Sequence, residues 1–419
     1  MDHPTARTLT RRVALLLLTG LAACGWTSAP EPRPRAKAAA SANPSRVHKA
    51  KAPLEGDEPQ DAKGRAREAE LLETLGYLEA VEPADAATGV TAYDKARAWP
   101  GRNLVVSAHA RELVEIDMEG KVLHTWALPR TETQPKDPSG FRRAFPTPDG
   151  GMLAILEGHA MVRFDARGQV RWRVDEHNHH DLAQLPDGRI LGLTRKARMI
   201  PVMSKDELIV EDSVTWFSAD GKVLDRVSLL QALHDSPWWS ALERSPNQTG
   251  DVLHTNSIKV LDGSAASIDP AFKAGNILVS MLYPSTIAVL DPEQREIVWA
   301  LTDKEFKHQH DAEILPDLHL QVFDNLGARP YSAVRVYDLA TKEQTWSYAG
   351  TAERPFFTKN CGSAELLPNG DRLIVESNRG RVFELAPDGA IVWEWRSPYR
   401  GSKNKDLVAN LYDVVRLPE

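Results

Sequence analysis

The sequence predicts an all-β protein, a six-bladed β-propeller that follows a short N-terminal helix. A unit of turn, strand, strand, turn and Trp-containing strand recurs six times, at residues 100–126, 147–172, 185–224, 275–299, 318–346 and 367–393. Asp-Gly and Asn-Gly dipeptides mark hairpin tips, and alternating apolar residues, as in 382–386, fit half-buried antiparallel strands. Each unit of roughly 45 residues has the length of a four-stranded blade. The predicted propeller covers residues 89–419.

A ring of blades closes when one blade is built from both ends of the chain. The C-terminal segment 411–418, LYDVVRLP, is similar to the strand that precedes each turn elsewhere. It can supply the innermost strand of the blade that begins at Pro100. The alternative is the local segment 91–99, TAYDKARAW. We favour the C-terminal strand.

The N-terminus has the organisation of an export signal. Three arginines precede the apolar run 13–23, which is too short to span a bilayer, and the run ends in Leu-Ala-Ala-Cys. This pattern resembles a bacterial lipobox, and residues 1–24 are therefore predicted to be a lipoprotein signal with Cys24 acylated. The alternative is an ordinary secretory signal with an incidental Cys. The lipoprotein prediction places the protein in the cell envelope, on the outer membrane facing the periplasm.

Two segments lie between the signal and the propeller. Residues 25–64 are rich in Pro, Ala and charged residues and contain few large apolar side chains, so they predict a disordered tether whose removal leaves stability nearly unchanged. Residues 65–88 predict a short helix with Leu71, Leu72, Leu75 and Leu78 on one face.

Composition excludes some functions. The net charge of −7, without a long basic run in the propeller, gives no electrostatic basis for nucleic-acid binding. With Cys24 acylated, Cys361 is the other of the two cysteines, so no intramolecular disulfide is expected.

Histidines recur at the head of the strand before the turn. His179 or His180, His254 and His310 occupy this position in three repeats, whereas two other repeats carry Arg142-Arg143 and Asn360-Cys361. In a propeller this strand lies beside the central channel. The sequence therefore predicts that the three histidines face one small space, although a single such histidine is usually just a satisfied polar residue.

Several chemistries could use such a cluster. Three histidines can bind a transition metal, but no HExxH motif is present, and Asp181 and Asp311 follow their histidines directly, which predicts that they point to the opposite strand face. A Ser hydrolase would need a nucleophile elbow, and no GxSxG is present. A histidine can also be the nucleophile, with neighbouring groups that stabilise an anion in transfer. We expect no metal and no cofactor.

Four motifs resemble those of the bacterial aryl-sulfate sulfotransferases. They are HHD at 179–181, HTNS at 254–257, QHDA at 309–312 and FDN at 323–325. The resemblance implies a six-bladed propeller that moves a sulfuryl group between phenols without a nucleotide donor. It implies that His310 carries the group covalently and that His180 and His254 hold sulfuryl oxygens and transfer protons. Asn256 donates a hydrogen bond in that reading, and His179 and Tyr283 complete the substrate site.

The chain also departs from the family pattern. Tyr283 stands about where the family has a charge-neutralising Arg, and Ser332-Ala333 replaces its Ser-Arg after FDN. Arg195, Arg329 or Arg335 could supply the missing charge. The alternative function is therefore an inactive, surface-tethered propeller that binds a ligand or protein. The repeats also resemble quinoprotein propellers, but those have eight blades and usually an adjacent Cys pair.

Overall fold

The computed structural model describes residues 53–75, 79–132, 140–302 and 306–419. The predicted signal peptide, the lipidation site at Cys24 and residues 25–52 of the predicted tether lie outside this part of the chain. Within it, no helix is long and apolar enough to cross a bilayer.

The N-terminal helix packs on the β-structure through its leucines. Helix α1 (Ala62–Thr74) starts after Asp61, whose side chain accepts a hydrogen bond from the Gly64 backbone N–H at 2.6 Å, as an N-cap does. Leu71, Leu72 and Leu75 contact a small cluster around Val210. The predicted apolar face is therefore present, and Leu78 lies outside the described residues.

The segment before this helix also contacts the domain. Leu54 is buried in the largest apolar cluster, and its backbone N–H donates to Gln231 Oε1 at 2.7 Å. Asp57 forms a β-bridge with Met199. Residues 53–64, which the sequence analysis assigned to the tether, thus carry specific contacts.

The first strands along the chain lie in three different sheets. They are β1 (Ala80–Pro83), β2 (Gly89–Tyr93), β3 (Arg102–Ser107), β4 (Glu112–Ile116) and β5 (Val122–Ala127). Strands β3, β4 and β5 pair in sequence as antiparallel neighbours. We name this sheet blade A. A 3₁₀ turn at Arg130–Glu132 follows it.

A long sheet comes next. Its strands are β6 (Arg143–Pro146), β7 (Met152–Leu156), β8 (His159–Phe164), β9 (Val170–Gln184), β10 (Ile190–Arg198), β11 (Ile209–Phe217), β12 (Val223–Ser228) and β13 (Gly250–Asp251). Strands β6 to β12 pair in chain order, and β13 joins β11 in parallel. The 15-residue β9 has β8 on one side and β10 on the other. Helices α2 (Leu229–Asp235) and α3 (Trp239–Glu243) lie between β12 and β13.

Three further blades follow, each with four strands in chain order. Blade B contains β14 (Thr255–Val260), β15 (Ile277–Met281), β16 (Thr286–Asp291) and β17 (Glu296–Thr302), with a 3₁₀ turn at Pro270–Phe272. Blade C contains β18 (His310–Ile314), β19 (His319–Ala328), β20 (Tyr331–Asp338) and β21 (Gln344–Ala349). Blade D contains β22 (Ser363–Leu366), β23 (Arg372–Glu376), β24 (Arg381–Leu385) and β25 (Ile391–Arg396), with a 3₁₀ turn at Ser377–Arg379.

Both ends of the described chain pair with these sheets. Strand β26 (Leu407–Ala409) pairs with β1, and β27 (Leu411–Leu417) pairs with β3 to become the fourth strand of blade A. The C-terminal strand thus supplies the innermost strand of this blade, as we favoured. The alternative segment 91–99 begins within β2, and β2 adds a fifth strand to blade D beside β25.

A circuit of polar contacts links the heads of six strands. Arg143 in β6 pairs with Asp181 in β9 and with Asp413 in β27. The side chains of Asp181, Ser257 in β14 and Asp311 in β18 accept hydrogen bonds from the backbone N–H groups of Ile258, Ala312 and Ala364, respectively. Ser363 Oγ in β22 donates to Asp413 and closes the circuit. Its bonds are 2.6–3.3 Å long, and several of them run from a side chain to the next strand's backbone N–H. These strands therefore surround one centre. The all-β, propeller-like architecture is confirmed, with four separate blades and one long sheet.

Candidate active site

Irregular backbone marks the strand heads at this centre. The pairing register shifts near the heads of β9, β14, β18 and β27. His180, His254 and Asp311 have positive φ angles of 53°, 50° and 46°. A left-handed conformation costs a non-glycine residue about 1–2 kcal/mol, and such strain clusters at functional sites. Bulges likewise re-aim side chains next to active sites.

A small polar cavity lies where these heads meet. Its lining consists of consecutive residues from the six strand heads: Arg142, Arg143, His180, Asp181, Asn256, Ser257, His310, Asp311, Gly362, Ser363 and Tyr412. The prediction that Asp181 and Asp311 point away from their histidines is wrong, because both line the same cavity. The positive φ angles at His180 and Asp311 interrupt the regular alternation of the strand.

His310 lies at the first position of β18 with its ring buried. Its Nδ1 is 2.8 Å from Asn325 Oδ1 and 2.9 Å from the His308 carbonyl oxygen. Both partners accept hydrogen bonds, so Nδ1 carries the proton and Nε2 carries the lone pair. Burial above all, and then the Arg142 charge, lower the pKa of His310 to about 3. The imidazole is therefore neutral at physiological pH.

Asn325, the last residue of the FDN motif, fixes this tautomer. Its Nδ2 donates to the carbonyl oxygens of Thr358 and Cys361 at 2.9 and 2.7 Å. These two bonds orient the amide, so that Oδ1 faces His310. Among the described residues, His310 Nε2 has no hydrogen-bond partner although it is buried.

His254 forms a close pair with Asp251, which the sequence analysis did not identify. The Asp251 carboxylate contacts Nδ1 of His254 and also accepts its backbone N–H at 3.0 Å. Burial lowers the pKa of His254, but the Asp251 charge, its hydrogen bond and the Asp212 charge together outweigh burial, so the pKa is raised above 6.5. The spacing of three residues between Asp251 and His254 was an available signal.

His180 and His179 lie behind this pair as neutral imidazoles. Their Nδ1 atoms are 2.9 Å apart, and the His180 ring meets the His254 ring edge-on at 4.9 Å. Burial lowers both pKa values well below 6.5, helped by Arg195 at His179 and by His254 at His180. His179 Nε2 is 3.6 Å from Asp212. Burial, and then the Asp251 charge, raise the pKa of Asp212 to about 7.

Glu157, His179 and His180 form the kind of donor set that a metal ion uses. Their ligand atoms lie within 4.8 Å of one another, and all three residues are buried. However, Arg142 and Arg195 approach the Glu157 carboxylate at 3.8 and 3.6 Å. A metal ion would have to bind against two guanidinium groups. The absence of a metal stays a prediction.

Asn256 and Tyr283 occupy different sides of the histidines. Asn256 lines the cavity, and its Nδ2 donates to the Gln309 carbonyl oxygen at 2.7 Å, beside His310. Tyr283 lies outward of His254, with its ring edge-on at 5.4 Å, and faces His308 at 6.3 Å. The predicted residues His180, Asn256 and His310 thus share the cavity, whereas Tyr283 lies next to His254.

Two arginines line the cavity, Arg142 and Arg143, and the sequence analysis proposed neither as a replacement for the missing charge. Arg142 belongs to the Arg-Arg pair at the histidine position of its repeat. Of the arginines named as replacements, Arg195 contacts Glu157 and Arg335 pairs with Asp324 at 2.9 Å. Arg329 is exposed after β19.

The fold and the site define a β-propeller protein with a buried histidine cluster where its inner strands meet. The chain belongs to the arylsulfotransferase (ASST) family, whose model matches residues 147–398, more than half of the sequence. The resemblance carried by the four motifs is thereby confirmed. Membership supports sulfotransferase-type activity on small aryl substrates.

Several solved structures are similar to this chain at low sequence identity. A protein of unknown function from Bacteroides caccae has a TM-score of 0.51 at 12% identity, over 77% of this chain and 100% of that chain. A streptogramin B lyase has a TM-score of 0.45 at 10% identity, over 81% and 97%. Virginiamycin B lyase from Staphylococcus aureus with quinupristin has a TM-score of 0.44 at 14% identity, over 74% and 83%. No curated protein matches the chain in sequence.

Proposed function

We propose that this protein moves a sulfuryl group from an aryl sulfate to a phenolic acceptor through a covalent sulfohistidine at His310, without a nucleotide donor. The observation that supports this proposal best is the neutral, fixed tautomer of the His310 imidazole. Nδ1–H is held by two acceptors, and the buried Nε2 is left as a lone pair at the polar cavity. A neutral, oriented imidazole is the form in which histidine acts as a nucleophile.

The transfer takes place in two balanced steps. Nε2 of His310 attacks sulfur, the bond from sulfur to the donor oxygen breaks, and the phenolate leaves. The oxygen of the acceptor phenol then attacks the same sulfur, the N–S bond breaks, and neutral His310 is regenerated. Two successive displacements at one enzyme group give ping-pong kinetics.

His254 supplies and removes the proton in these steps. Asp251 raises the pKa of His254, so the imidazolium can protonate the leaving phenolate near neutral pH. The resulting neutral His254 then takes the proton of the acceptor phenol. General acid–base catalysis of this kind contributes about 10²–10⁴-fold to a rate.

The remaining site residues bind the substrate. His180 and Asn256 line the cavity beside His310 and can donate hydrogen bonds to sulfuryl oxygens, while His179 contacts His180 from behind. Tyr283 and His308 face each other outside His254 and provide aromatic surface for an aryl group.

The propeller in this proposal has six blades. The long sheet counts as two of them, β6 to β9 and β9 to β12, which share the long strand β9. The polar circuit through β6, β9, β14, β18, β22 and β27 supports this count, because each of these strands is the innermost of one unit.

The first half-reaction tests the function directly. Purified protein mixed with 4-nitrophenyl sulfate, without acceptor and with EDTA, should release a stoichiometric burst of 4-nitrophenol. Peptide mass spectrometry should locate one added SO₃ group on His310. The variant His310→Asn should show no burst, whereas substitutions of His180 or His254 should slow it without moving the modification.

A matched control separates this chemistry from general damage. His319→Asn changes a partly exposed histidine in the same blade and should retain the full burst. A burst from His310→Asn would refute the nucleophile assignment.

The second candidate is an inactive propeller that serves as a binding module. Tyr283 favours it, because this residue replaces the cation that the family pattern places there. A wild-type protein that binds aryl sulfates but gives no burst with any of them would support this alternative.

A further inference from the structure

We propose that Arg142 is the cation that faces the sulfuryl group, in place of the arginine that the family pattern expects at Tyr283. The inference rests on the proposed function and assigns the charge that the proposed transfer needs. A sulfuryl group in transfer spreads negative charge over its oxygens, as a phosphoryl group does. A fixed guanidinium stabilises such charge best in a buried site.

Arg142 lies at the centre of the candidate site. It directly precedes β6, where its backbone N–H donates to the Ile155 carbonyl oxygen at 2.8 Å. The residue is 6% exposed and lines the same cavity as His180, Asn256 and His310. From this position its charge adds to burial in lowering the pKa values of His180 and His310.

Two neighbours hold the guanidinium in place. It lies over the Tyr412 ring, with 4.8 Å from Cζ to the ring centroid, and its Nε is 3.8 Å from Glu157 Oε2. Glu157 is shared with Arg195, whose Nη1 is 3.6 Å from Oε1. The planar guanidinium pairs with tetrahedral oxyanions in a bidentate manner, which a lysine cannot reproduce.

The other arginines near the site either belong to the circuit that joins the inner strands or lie outside the cavity lining. Arg143 forms ion pairs with Asp181 and Asp413 at 3.0 and 2.6 Å, within the circuit that joins the strand heads. Arg335 pairs with the buried Asp324 at 2.9 Å. Arg195 contacts Glu157 but does not line the cavity. Arg142 is therefore the guanidinium that lines the cavity without belonging to that circuit.

The test compares Arg142→Gln with Arg142→Lys and with Arg329→Gln, which removes the exposed arginine after β19. Two quantities are measured for each protein: the rate of the 4-nitrophenol burst, and the affinity for 4-nitrophenyl sulfate by calorimetry with His310→Asn added, so that no transfer occurs during the titration. Loss of one oxyanion donor predicts a burst rate about 10²–10³-fold lower in Arg142→Gln. Arg142→Lys should lose less, and Arg329→Gln should behave like wild type.

Further variants separate a missing charge from a damaged fold. Millimolar methylguanidine should restore part of the burst in Arg142→Ala, and adding Tyr283→Arg to Arg142→Gln should also recover part of it. Neither recovery is expected if Arg142 only supports the fold.

The outcomes distinguish this assignment from the proposed function. If Arg142→Gln keeps both affinity and burst, the assignment is overturned while sulfuryl transfer stands. If wild type binds the aryl sulfate without a burst and Arg142→Gln abolishes binding, the cation is assigned correctly and the transfer is refuted. If Arg329→Gln shows the losses instead, Arg329 is the cation.

Discussion

At the scale of single residues, the hydrogen-bond partners of His310 and His254 support different roles for them in the proposed transfer. His310 and His254 are both buried, yet burial dominates the pKa of His310, whereas a carboxylate reverses its effect at His254. In the proposed transfer, the neutral His310 can therefore act as the nucleophile, while the protonated His254 can act as the acid. The sequence motifs identified these two residues, but their different environments depend on Asn325 and Asp251.

These pKa shifts predict the pH profile of the burst. Protonation of His310, with a pKa of about 3, removes no activity down to about pH 5. The raised pKa of His254 keeps it protonated above pH 6.5, and the rate falls as pH rises through that pKa. Asp251→Asn removes the charge that raises this pKa, so the falling limb should move to lower pH. The effect should be greater for phenyl sulfate than for 4-nitrophenyl sulfate, because phenolate is the more basic leaving group.

A second histidine–aspartate pair provides the control for this profile. His234 Nδ1 is 3.0 Å from Asp235 in helix α2, outside the cavity lining. Asp235→Asn should not shift the falling limb of the pH profile. An unchanged limb in Asp251→Asn would show that His254 is not the acid.

At the scale of elements, the alternation of apolar residues and the Asp-Gly and Asn-Gly turns predicted the strands of the blades well. They did not predict the register shifts at the irregular strand heads. The predicted repeats correspond to β3–β5, blades B, C and D and the two halves of the long sheet. The sequence analysis did not predict that β9 continues without a break from Val170 to Gln184, although the lack of Gly and Pro between these residues was an available signal. The bulges that bring Asp181 and Asp311 to the cavity leave no such signal, because they depend on pairing between strands distant from the local sequence.

Residues 25–64 were assigned to a disordered tether from their composition. Composition does not reveal that a single apolar residue, Leu54, packs into the core. Leu54 stands among polar residues, yet it is 5% exposed in a cluster with Leu191 and Ile200. We expect Leu54→Ala to lower the free energy of unfolding by about 2–5 kcal/mol, as for other buried leucines. Urea denaturation measures this change.

An exposed apolar residue close by makes a suitable comparison. Val202 is 76% exposed, so Val202→Ala should change stability by less than about 0.5 kcal/mol. A chain that starts at residue 53 should be as stable as the full domain, whereas one that starts at residue 65 should lose the contribution of Leu54. Equal stability of the two shortened chains would mean that the contacts of Leu54 contribute nothing.

At the scale of the whole molecule, both ends of the domain are fixed by strand pairing. β27 completes blade A beside β3, and β2 extends blade D beside β25. The sequence offered these two segments as rivals for one position, but the structure uses each at a different place. Strand propensity alone cannot show which of the two segments pairs with β3, since both can form short strands. The pairing depends on which neighbouring strand has a free edge for each segment.

The N-terminal residues 1–24 carry the predicted lipoprotein signal. We propose that the mature chain begins at Cys24 and is anchored in the envelope by acyl groups on that residue, because three arginines and a short apolar run precede Leu-Ala-Ala-Cys. One acyl chain gives only marginal membrane binding, whereas the two or three chains of a lipoprotein anchor it stably. Intact-mass analysis of the membrane fraction should therefore show a diacylated or triacylated N-terminal Cys. Cys24→Ser should abolish both the acylation and the membrane association. A wild-type protein that is cleaved at another position, or recovered soluble and unmodified, would contradict the proposal.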